Sequence, residues 1–343
     1  MTSSIHESQQ PPSRVLLGAT PTHWLYNPSP PSYDLTRPPA PSFPPPAPHT
    51  TIRLSTTREP ILISPSQTAL VIIDMQNLFL SPALGAAPDS PANVAKEVLL
   101  QSSIPAARRA GIRVVWLNWG LNEEDVEEMP ASIVKAFAMK SKTRDQDKDS
   151  ESRMRDEISS ENVREQEQEL PNDSDKASSS TGSVTQPTTG LGLSIGAVNL
   201  ADGRTIDGGR LLMRDTWNTA LPPDLDSIYK EGQKLTHKPD ILLHKTRISG
   251  FWAGNQQNIQ ILQEAGIKTL LFAGTKTDVC VLSSLLDAWN VGFDVVLVKD
   301  ACGTTSPECA REAVEFNCER IWGFVCGSAD LEKGVDDMLS VGR

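Results

Sequence analysis

Residues 270–281 read LLFAGTKTDVCV, and their pattern indicates the fold class of the chain. A short apolar run of strand length, residues 270–273, passes through a tight polar turn into a helical pattern that contains Cys280. Strands that alternate with helices in this way are typical of a parallel sheet with helices on its faces. The stretch therefore predicts an α/β fold.

The rest of the chain repeats this strand–helix pattern. Further apolar runs of strand length lie at residues 68–73, 112–117, 240–244, 293–298 and 320–325. Helices are predicted at residues 93–110, 255–265, 278–289 and 330–339, with another opening at Ser306-Pro307, and a short hairpin within residues 191–216. Because such crossovers are right-handed, the pattern predicts a three-layer α/β/α, Rossmann-like, doubly wound fold around a six-stranded, mainly parallel sheet.

Two segments have compositions that do not suit this domain. Prolines crowd the N-terminal region, and because proline lacks a backbone donor and favours extended chain, a disordered tail is predicted at residues 1–58. Residues 141–189 are rich in Ser, Asp, Glu, Lys and Gln and almost lack aliphatic residues. Little apolar burial could offset the entropy of ordering them. We therefore expect one domain at residues 59–343, interrupted by a charged low-complexity insertion at about 141–189.

Composition and charge argue against several classes of function. The net charge of −11 disfavours nucleic acid as a partner, because phosphate binding needs a basic patch. No uninterrupted apolar run reaches the roughly 18–20 residues that span a bilayer, and the N-terminus lacks a signal-peptide pattern, so a cytoplasmic protein without membrane contact is expected. The five cysteines, an odd number without a C-x-x-C pair, favour neither a disulfide framework nor a zinc knuckle.

Polar residues follow three of the predicted strands. In open α/β sheets, sites form at the carboxyl ends of the strands. Asp74 directly follows the apolar run at 70–73, and Lys245 follows the run at 241–244. Either residue could instead be structural, the acid as a helix cap and the lysine as a solvated strand end. His244 should point to the opposite face from Lys245 under strand alternation.

Cys280 is predicted to lie in the first turn of a helix. Unpaired N–H groups and the helix dipole favour an anion there, and such sites lower a thiol pKa from about 8.5 to roughly 3.5–7.5. The alternative is a small buried hydrophobe that packs the helix onto the sheet. The sequence context leaves both interpretations open.

Three blocks together resemble the isochorismatase-like cysteine hydrolases. They are LVIIDMQN at 70–77, KTRISGF at 245–251 and GTKTDVCV at 274–281, and they occur in the order found in that family. The resemblance covers roughly residues 60–140 and 190–340. Among the subfamilies, the ureidoacrylate amidohydrolases look most similar.

The resemblance implies a role for each residue of these blocks. Asp74 would act as general acid and base, Lys245 would stabilise a thiolate and hold Asp74 ionised, and Cys280 would be the nucleophile. The backbone N–H groups of Lys276 and Cys280 would form the oxyanion hole. The peptide bond between Thr275 and Lys276 would be cis.

The resemblance also implies a substrate-binding set, which comprises Gln76, Asn118, Trp119, Arg247, Ile248 and Phe251. Nicotinamidases of this superfamily bind a metal through an aspartate and histidines after the second strand. Residues 116–122 read WLNWGLN here and contain no histidine. We therefore expect no metal and no cofactor. Ile248 and Lys276 depart from the ureidoacrylate amidohydrolase pattern, which has a tyrosine and a small residue at these places.

The leading hypothesis is a metal-independent cysteine amidohydrolase that cleaves a C–N bond of a small amide, ureide or carbamoyl substrate through a Cys280 acyl-enzyme. One alternative is an isochorismatase-like hydrolase acting on a non-amide substrate. Another is a catalytically inactive scaffold that binds partner proteins. A nucleotide-binding module is disfavoured because no G-x-G-x-x-G follows the first strand. Since members of this family commonly self-associate, a homo-oligomer is expected.

Overall fold

A computed structural model describes residues 14–138 and 190–341 of the chain. The predicted insertion at 141–189 lies outside the described residues, as do residues 1–13 of the predicted tail. Within the described ranges, no helix combines the length and the apolar character needed to cross a membrane.

The strands, in chain order, are β1 Val15–Leu17, β2 Trp24–Pro28, β3 Pro31–Asp34, β4 Ile52–Leu54, β5 Ile61–Ile63, β6 Thr68–Ile73, β7 Arg113–Trp119, β8 Ala197–Asn199, β9 Thr205–Asp207, β10 Ile241–Lys245, β11 Thr269–Thr275, β12 Asp294–Gly303 and β13 Phe324–Cys326. The α-helices are α1 Asn77–Leu80, α2 Pro91–Val98, α3 Ile104–Ala110, α4 Glu123–Glu127, α5 Ala131–Ala138, α6 Pro223–Gln233, α7 Gln256–Glu264, α8 Leu282–Asn290, α9 Glu308–Asn317 and α10 Ser328–Val341. Helices α2 and α3 are joined by a π-helical segment, Leu99–Ser103.

The central sheet has six strands, all parallel, in the order β10-β7-β6-β11-β12-β13. In chain order, β6 comes first and lies in the middle of the sheet. Strands β7 and β10 then extend the sheet on one side of β6, and β11, β12 and β13 extend it on the other side. The prediction of a doubly wound, six-stranded sheet is confirmed, as is the hairpin, which β8 and β9 form. The predicted last strand was placed too early, because Cys318–Trp322 forms a π-helical turn before β13.

Successive residues of the central strands serve two separate cores. In β6, Leu70 and Ile72 join the core that faces α2, α3 and α10, whereas Val71 and Ile73 join the core that faces α7, α8 and α9. This alternation places adjacent side chains on opposite faces of a sheet covered on both sides. It explains why the central strands read as continuous apolar runs.

The predicted disordered tail is wrong for residues 14–58. These residues supply four strands of a second sheet, ordered β1-β2-β3-β5-β4. Its apolar side chains join the same core as α10, and the fully or almost fully buried ones are Leu35, Ile52, Leu54, Ile61 and Ile63. The prolines between residues 38 and 48 lie in the connection between β3 and β4. The short strands on either side of this connection bury apolar side chains, and this burial stabilises the ordered segment. The local composition of the segment does not reveal that burial.

A buried polar cluster joins this second sheet to the central one. Arg37 makes two hydrogen bonds to the carboxylate of Asp294, at 2.6 and 2.8 Å, and both side chains are almost fully buried. Trp24 and Thr269 also donate to this carboxylate, at 2.7 and 2.9 Å. Because Asp294 begins β12, the cluster holds the N-terminal segment against the edge of the central sheet where its strands begin.

Candidate active site

Three polar side chains converge where neighbouring strands of the central sheet end. Asp74 follows β6, Lys245 is the last residue of β10, and Cys280 lies just beyond β11. The carboxyl ends of parallel strands share one edge of a sheet, so residues far apart in sequence become neighbours there. The short π-helical turn Thr277–Val281 carries Cys280 back over that edge.

Lys245 lies between the other two side chains. Its Nζ is 2.9 Å from Oδ2 of Asp74 and 3.2 Å from Sγ of Cys280. Nζ also donates to the carbonyl oxygen of Ile248 at 3.0 Å and lies 3.9 Å from the centre of the Trp119 ring. The ammonium is thus held by an anion, a sulfur, a carbonyl and an aromatic face together.

Burial dominates the electrostatics of this group. Asp74 and Lys245 are both 0 % exposed and Cys280 is 7 % exposed. Loss of solvent raises the pKa of Asp74, although Lys245 opposes this shift. Burial likewise raises the pKa of the Cys280 thiol to about 12, with Lys245 lowering it and Asp74 raising it further. A buried ion pair is weak evidence for stability, and perturbed acids beside a nucleophile are typical of a functional site.

The expected lowering of the Cys280 pKa is contradicted. The helix dipole was expected to favour a thiolate, but the cysteine lies in a π-helical turn and its sulfur is removed from water. Desolvation penalises the charged form and exceeds the attraction of Lys245. Burial thus favours the neutral thiol over the thiolate, so the proposed chemistry needs a base to take the thiol proton.

Backbone geometry orients Asp74 toward Lys245. Its φ is 54°, in the left-handed region that few non-glycine residues adopt. Its N–H donates to the carbonyl oxygen of Leu117, and its Oδ1 accepts the N–H of Trp119 at 3.2 Å. Strand β7 lies between β6 and β10, and backbone groups of β7 therefore bind both the N–H and the carboxylate of Asp74.

The turn before Cys280 depends on a glycine. Gly274 has a φ of 117°, and a Cβ at this position would lie 2.1 Å from the carbonyl oxygen of Ile73. The following Thr275–Lys276 peptide bond is cis. The carbonyl oxygen of Lys276 accepts the N–H groups of Val279 and Val281. The end of β11 therefore packs directly against the residue that precedes Asp74.

Two of the predicted substrate-binding residues have partners within the protein. The side-chain amide of Gln76 donates to the carbonyl oxygens of Trp119 and Thr219, both at 2.8 Å, and accepts the N–H of Trp119. Phe251 is 1 % exposed and packs edge-to-face on Phe272 in the core. These contacts give both residues a structural role, and contact with substrate stays a prediction.

The other four residues of that set lie at the end of β7 or just after β10, two of the strands nearest to the triad of Asp74, Lys245 and Cys280. Trp119 covers Lys245, and Asn118 on the opposite face lines a neighbouring cavity of about 390 Å³ with its buried Oδ1 unpaired. Ile248 supplies the carbonyl that binds Lys245. Arg247 lies over the Trp252 ring and lines another cavity, of about 430 Å³. Cys280 is not among the residues lining either cavity.

The sequence did not reveal how closely Trp119 contacts Asp74 and Lys245. It was assigned to substrate, yet its ring faces the lysine ammonium and its backbone binds both Asp74 and Gln76. The signal available in the sequence was an aromatic residue at the end of β7, the strand next to the one that leads into Asp74. In the part of the chain that the structure describes, His, Cys, Asp and Glu side chains form no cluster of three or more suited to a metal ion.

Comparison with known proteins finds similar sequences and structures. Residues 214–319 match the family model described as the isochorismatase domain. Over this range the chain is similar to that family. The matched range includes two members of the triad, Lys245 and Cys280, and ends before β13.

Individual relatives extend over more of the chain. A ureidoacrylate amidohydrolase RutB of Rhizobium rhizogenes is 26% identical over 289 residues, covering 82% of this chain and 88% of its own length. That of Caulobacter vibrioides is 28% identical over 297 residues, covering 85% and 95%. A solved structure of a cysteine hydrolase from Pseudomonas syringae pv. phaseolicola is 16% identical, with a TM-score of 0.47 over 83% of this chain and 98% of that one.

Proposed function

We propose that the chain is a metal-independent cysteine amidohydrolase, which cleaves a C–N bond of a small amide, ureide or carbamoyl compound through a Cys280 acyl-enzyme. The chain is a hydrolase of carbon–nitrogen bonds other than peptide bonds, the class of its relatives named ureidoacrylate amidohydrolases. The observation that supports the cysteine mechanism is the position of the Lys245 ammonium, within 3.2 Å of the sulfur and 2.9 Å of the carboxylate.

The proposed first half-reaction moves one proton and exchanges one bond. Sγ of Cys280 attacks the carbonyl carbon while its proton passes to Asp74, and the carbonyl π electrons move to oxygen. The backbone N–H groups of Lys276 and Cys280 are proposed to bind this oxyanion. As the carbonyl re-forms, the C–N bond breaks and the leaving nitrogen takes the proton from Asp74, which leaves a thioester.

The second half-reaction restores the enzyme. A water molecule attacks the thioester carbonyl and gives its proton to Asp74. The C–S bond then breaks, the acid product leaves, and the sulfur recovers the proton from Asp74. Lys245 remains a cation throughout and stabilises the negative charge whether it lies on the carboxylate or on the sulfur.

A panel of small amides, ureides and carbamoyl compounds tests this proposal, with release of ammonia, amine or acid as the readout. Cys280→Ala should reduce kcat by at least about a thousand-fold, because the nucleophile is lost. Cys309→Ala is the matched control, since Cys309 is an exposed cysteine on α9 whereas Cys280 is buried. Intact-protein mass spectrometry during turnover should show an acyl adduct on the wild-type chain and none on the Cys280 variant.

Two results would overturn the proposal. One is the absence of turnover by the wild-type chain over the whole panel, which would favour the scaffold hypothesis. The other is turnover that survives Cys280→Ala, which would assign the chemistry to another group.

A further inference from the structure

A second cavity lies at the opposite edge of the central sheet from the triad. Its volume is about 710 Å³, within the range of roughly 300–1,000 Å³ that small-molecule sites occupy. Its lining includes Ser64–Ser66, Gly111 and Lys238, which precede β6, β7 and β10. Since β6 rises about 3.3 Å per residue over its length, roughly 20 Å of sheet separates this cavity from Asp74.

The N-terminal segment forms one wall of this cavity. The wall is built largely from proline rings in the connection between β3 and β4, namely Pro38, Pro39, Pro44, Pro45 and Pro46. Proline rings present flat apolar surface, and their fixed φ leaves little backbone freedom to lose on binding. The cavity is thus preformed and has an apolar face against which a ring could lie.

The charges around the cavity point to an anionic ligand. The cationic side chains that line it are Arg37, Arg108 and Lys238, and the imidazoles of His49 and His237 lie at its exposed rim. Arg37 and Arg108 are paired with the buried carboxylates of Asp294 and Asp240, and Asp240 also lines the cavity. The lining therefore carries three cationic side chains against one carboxylate, on a chain whose net charge is −11.

Lys238 is the cation best placed to meet a ligand. Its Nζ donates to the carbonyl oxygens of Gly111 at 2.6 Å and Pro65 at 3.1 Å, which hold it at the base of β6 and β7. Among the described residues no carboxylate pairs with it, and Arg113 is its charged neighbour. Burial and that guanidinium lower the pKa of Lys238. An anion bound here would relieve the repulsion between the two cations.

We propose that this cavity binds a small organic phosphate, with its phosphate at Lys238 and Arg108 and a planar ring against the prolines. A lone inorganic ion would leave most of the volume unfilled, and an uncharged ring would supply no anion to Lys238. Such a site is separate from the proposed hydrolase centre in position and in chemistry.

Calorimetric titration of the full-length chain tests this, with AMP as the probe and adenosine and inorganic phosphate as comparison ligands. AMP should bind more tightly than either of its parts. Lys238→Gln should weaken AMP binding by about tenfold or more, as expected for loss of a charged hydrogen-bond donor. Lys234→Gln, at an exposed position just beyond α6 and outside the cavity lining, should leave the affinity unchanged.

Further variants keep the test independent of folding and of the triad. Lys238→Arg should retain AMP binding, and thermal melts should show both Lys238 variants folded. Cys280→Ala should bind AMP as the wild type does, whatever the outcome of the amide panel. The proposal fails if AMP does not bind at millimolar concentration, if adenosine binds equally well, or if binding persists in Lys238→Gln or disappears in Cys280→Ala.

Discussion

At the scale of single residues, the position of one proton, on Cys280 or on Asp74, determines whether the sulfur of the triad is a thiol or a thiolate. With Asp74 ionised, Lys245 protonated and Cys280 a thiol, the buried group carries no net charge. Transfer of the thiol proton to Asp74 leaves that sum unchanged, whereas loss of the proton to solvent would leave a net buried anion. Burial raises the pKa of both acids, so internal transfer is the less costly way to form a thiolate.

The pH dependence of turnover follows from these shifts. Asp74 must be ionised to accept the thiol proton, and its pKa is raised, so activity should fall on acidification at a pH above the carboxyl's usual value of 3.8. Because burial raises the Cys280 pKa to about 12, kcat/KM should then stay level from the pH at which Asp74 is ionised up to about pH 10. Profiles of kcat/KM against pH check this. A tenfold rise per pH unit above neutrality would mean that solvent, not Asp74, deprotonates the sulfur.

Gln76 illustrates a residue whose role is to position others. Gln76→Ala would leave the carbonyl oxygens of Trp119 and Thr219 without the amide that donates to them, whereas the N–H of Trp119 would keep Asp74 as its acceptor. Each unsatisfied group costs about 1–3 kcal/mol, so we expect the free energy of unfolding to fall by about 3 kcal/mol. Urea denaturation measures this, with the exposed Gln260→Ala as control. A loss no larger than the control's would show that these bonds do not stabilise the fold.

At the scale of elements, the site depends on how closely β11 approaches β6. Both strands end in the residues that lead into the triad, and Gly274 lies against the backbone of Ile73 at this point. The pair is held by parallel hydrogen bonds along its whole length. Any side chain at residue 274 must therefore push the strands apart where Asp74 and Cys280 must meet.

Gly274→Ala should thus damage activity and stability together. Its Cβ would lie 2.1 Å from a backbone oxygen, and its φ of 117° is unfavourable for alanine. We expect kcat/KM to fall at least about a hundred-fold, since small displacements of reacting groups have effects of this size. Gly266→Ala, with a positive φ but no atom within 4 Å of the added Cβ, is the control and should cost only about 1 kcal/mol. Equal effects of the two substitutions would contradict the steric argument.

At the scale of the whole molecule, the N-terminal sheet and the central domain share one core. Side chains of β4 and β5 pack with those of α10, and the Arg37–Asp294 pair closes the junction. The junction lies at the edge of the central sheet where the strands begin, opposite the triad. The N-terminal segment is therefore a structural part of the domain and forms a wall of the second cavity.

Arg37→Met should weaken this junction. The substitution leaves the Asp294 carboxylate buried with only Trp24 and Thr269 as donors. Removal of one partner from a buried ion pair costs about 3–5 kcal/mol. Hydrogen exchange should accelerate in β2 to β5 more than in the central sheet. Arg204→Met breaks an ion pair on the surface and should change stability by less than about 1 kcal/mol. Unchanged exchange in β2 to β5 would contradict the proposed role of the pair.

The central sheet could be predicted from sequence, because strands buried on both faces read as continuous apolar runs whatever packs against them. The three blocks around Asp74, Lys245 and Cys280 likewise predicted the candidate site, since residues at strand ends meet at one edge of a parallel sheet. Three other features depend on contacts between distant segments. The N-terminal segment is ordered because α10 packs against its short strands, the pKa of Cys280 is raised because the assembled site excludes water, and the contacts of Gln76 and Phe251 come from residues distant in the sequence. Burial depends on how the whole chain packs, so a local sequence pattern does not reveal it.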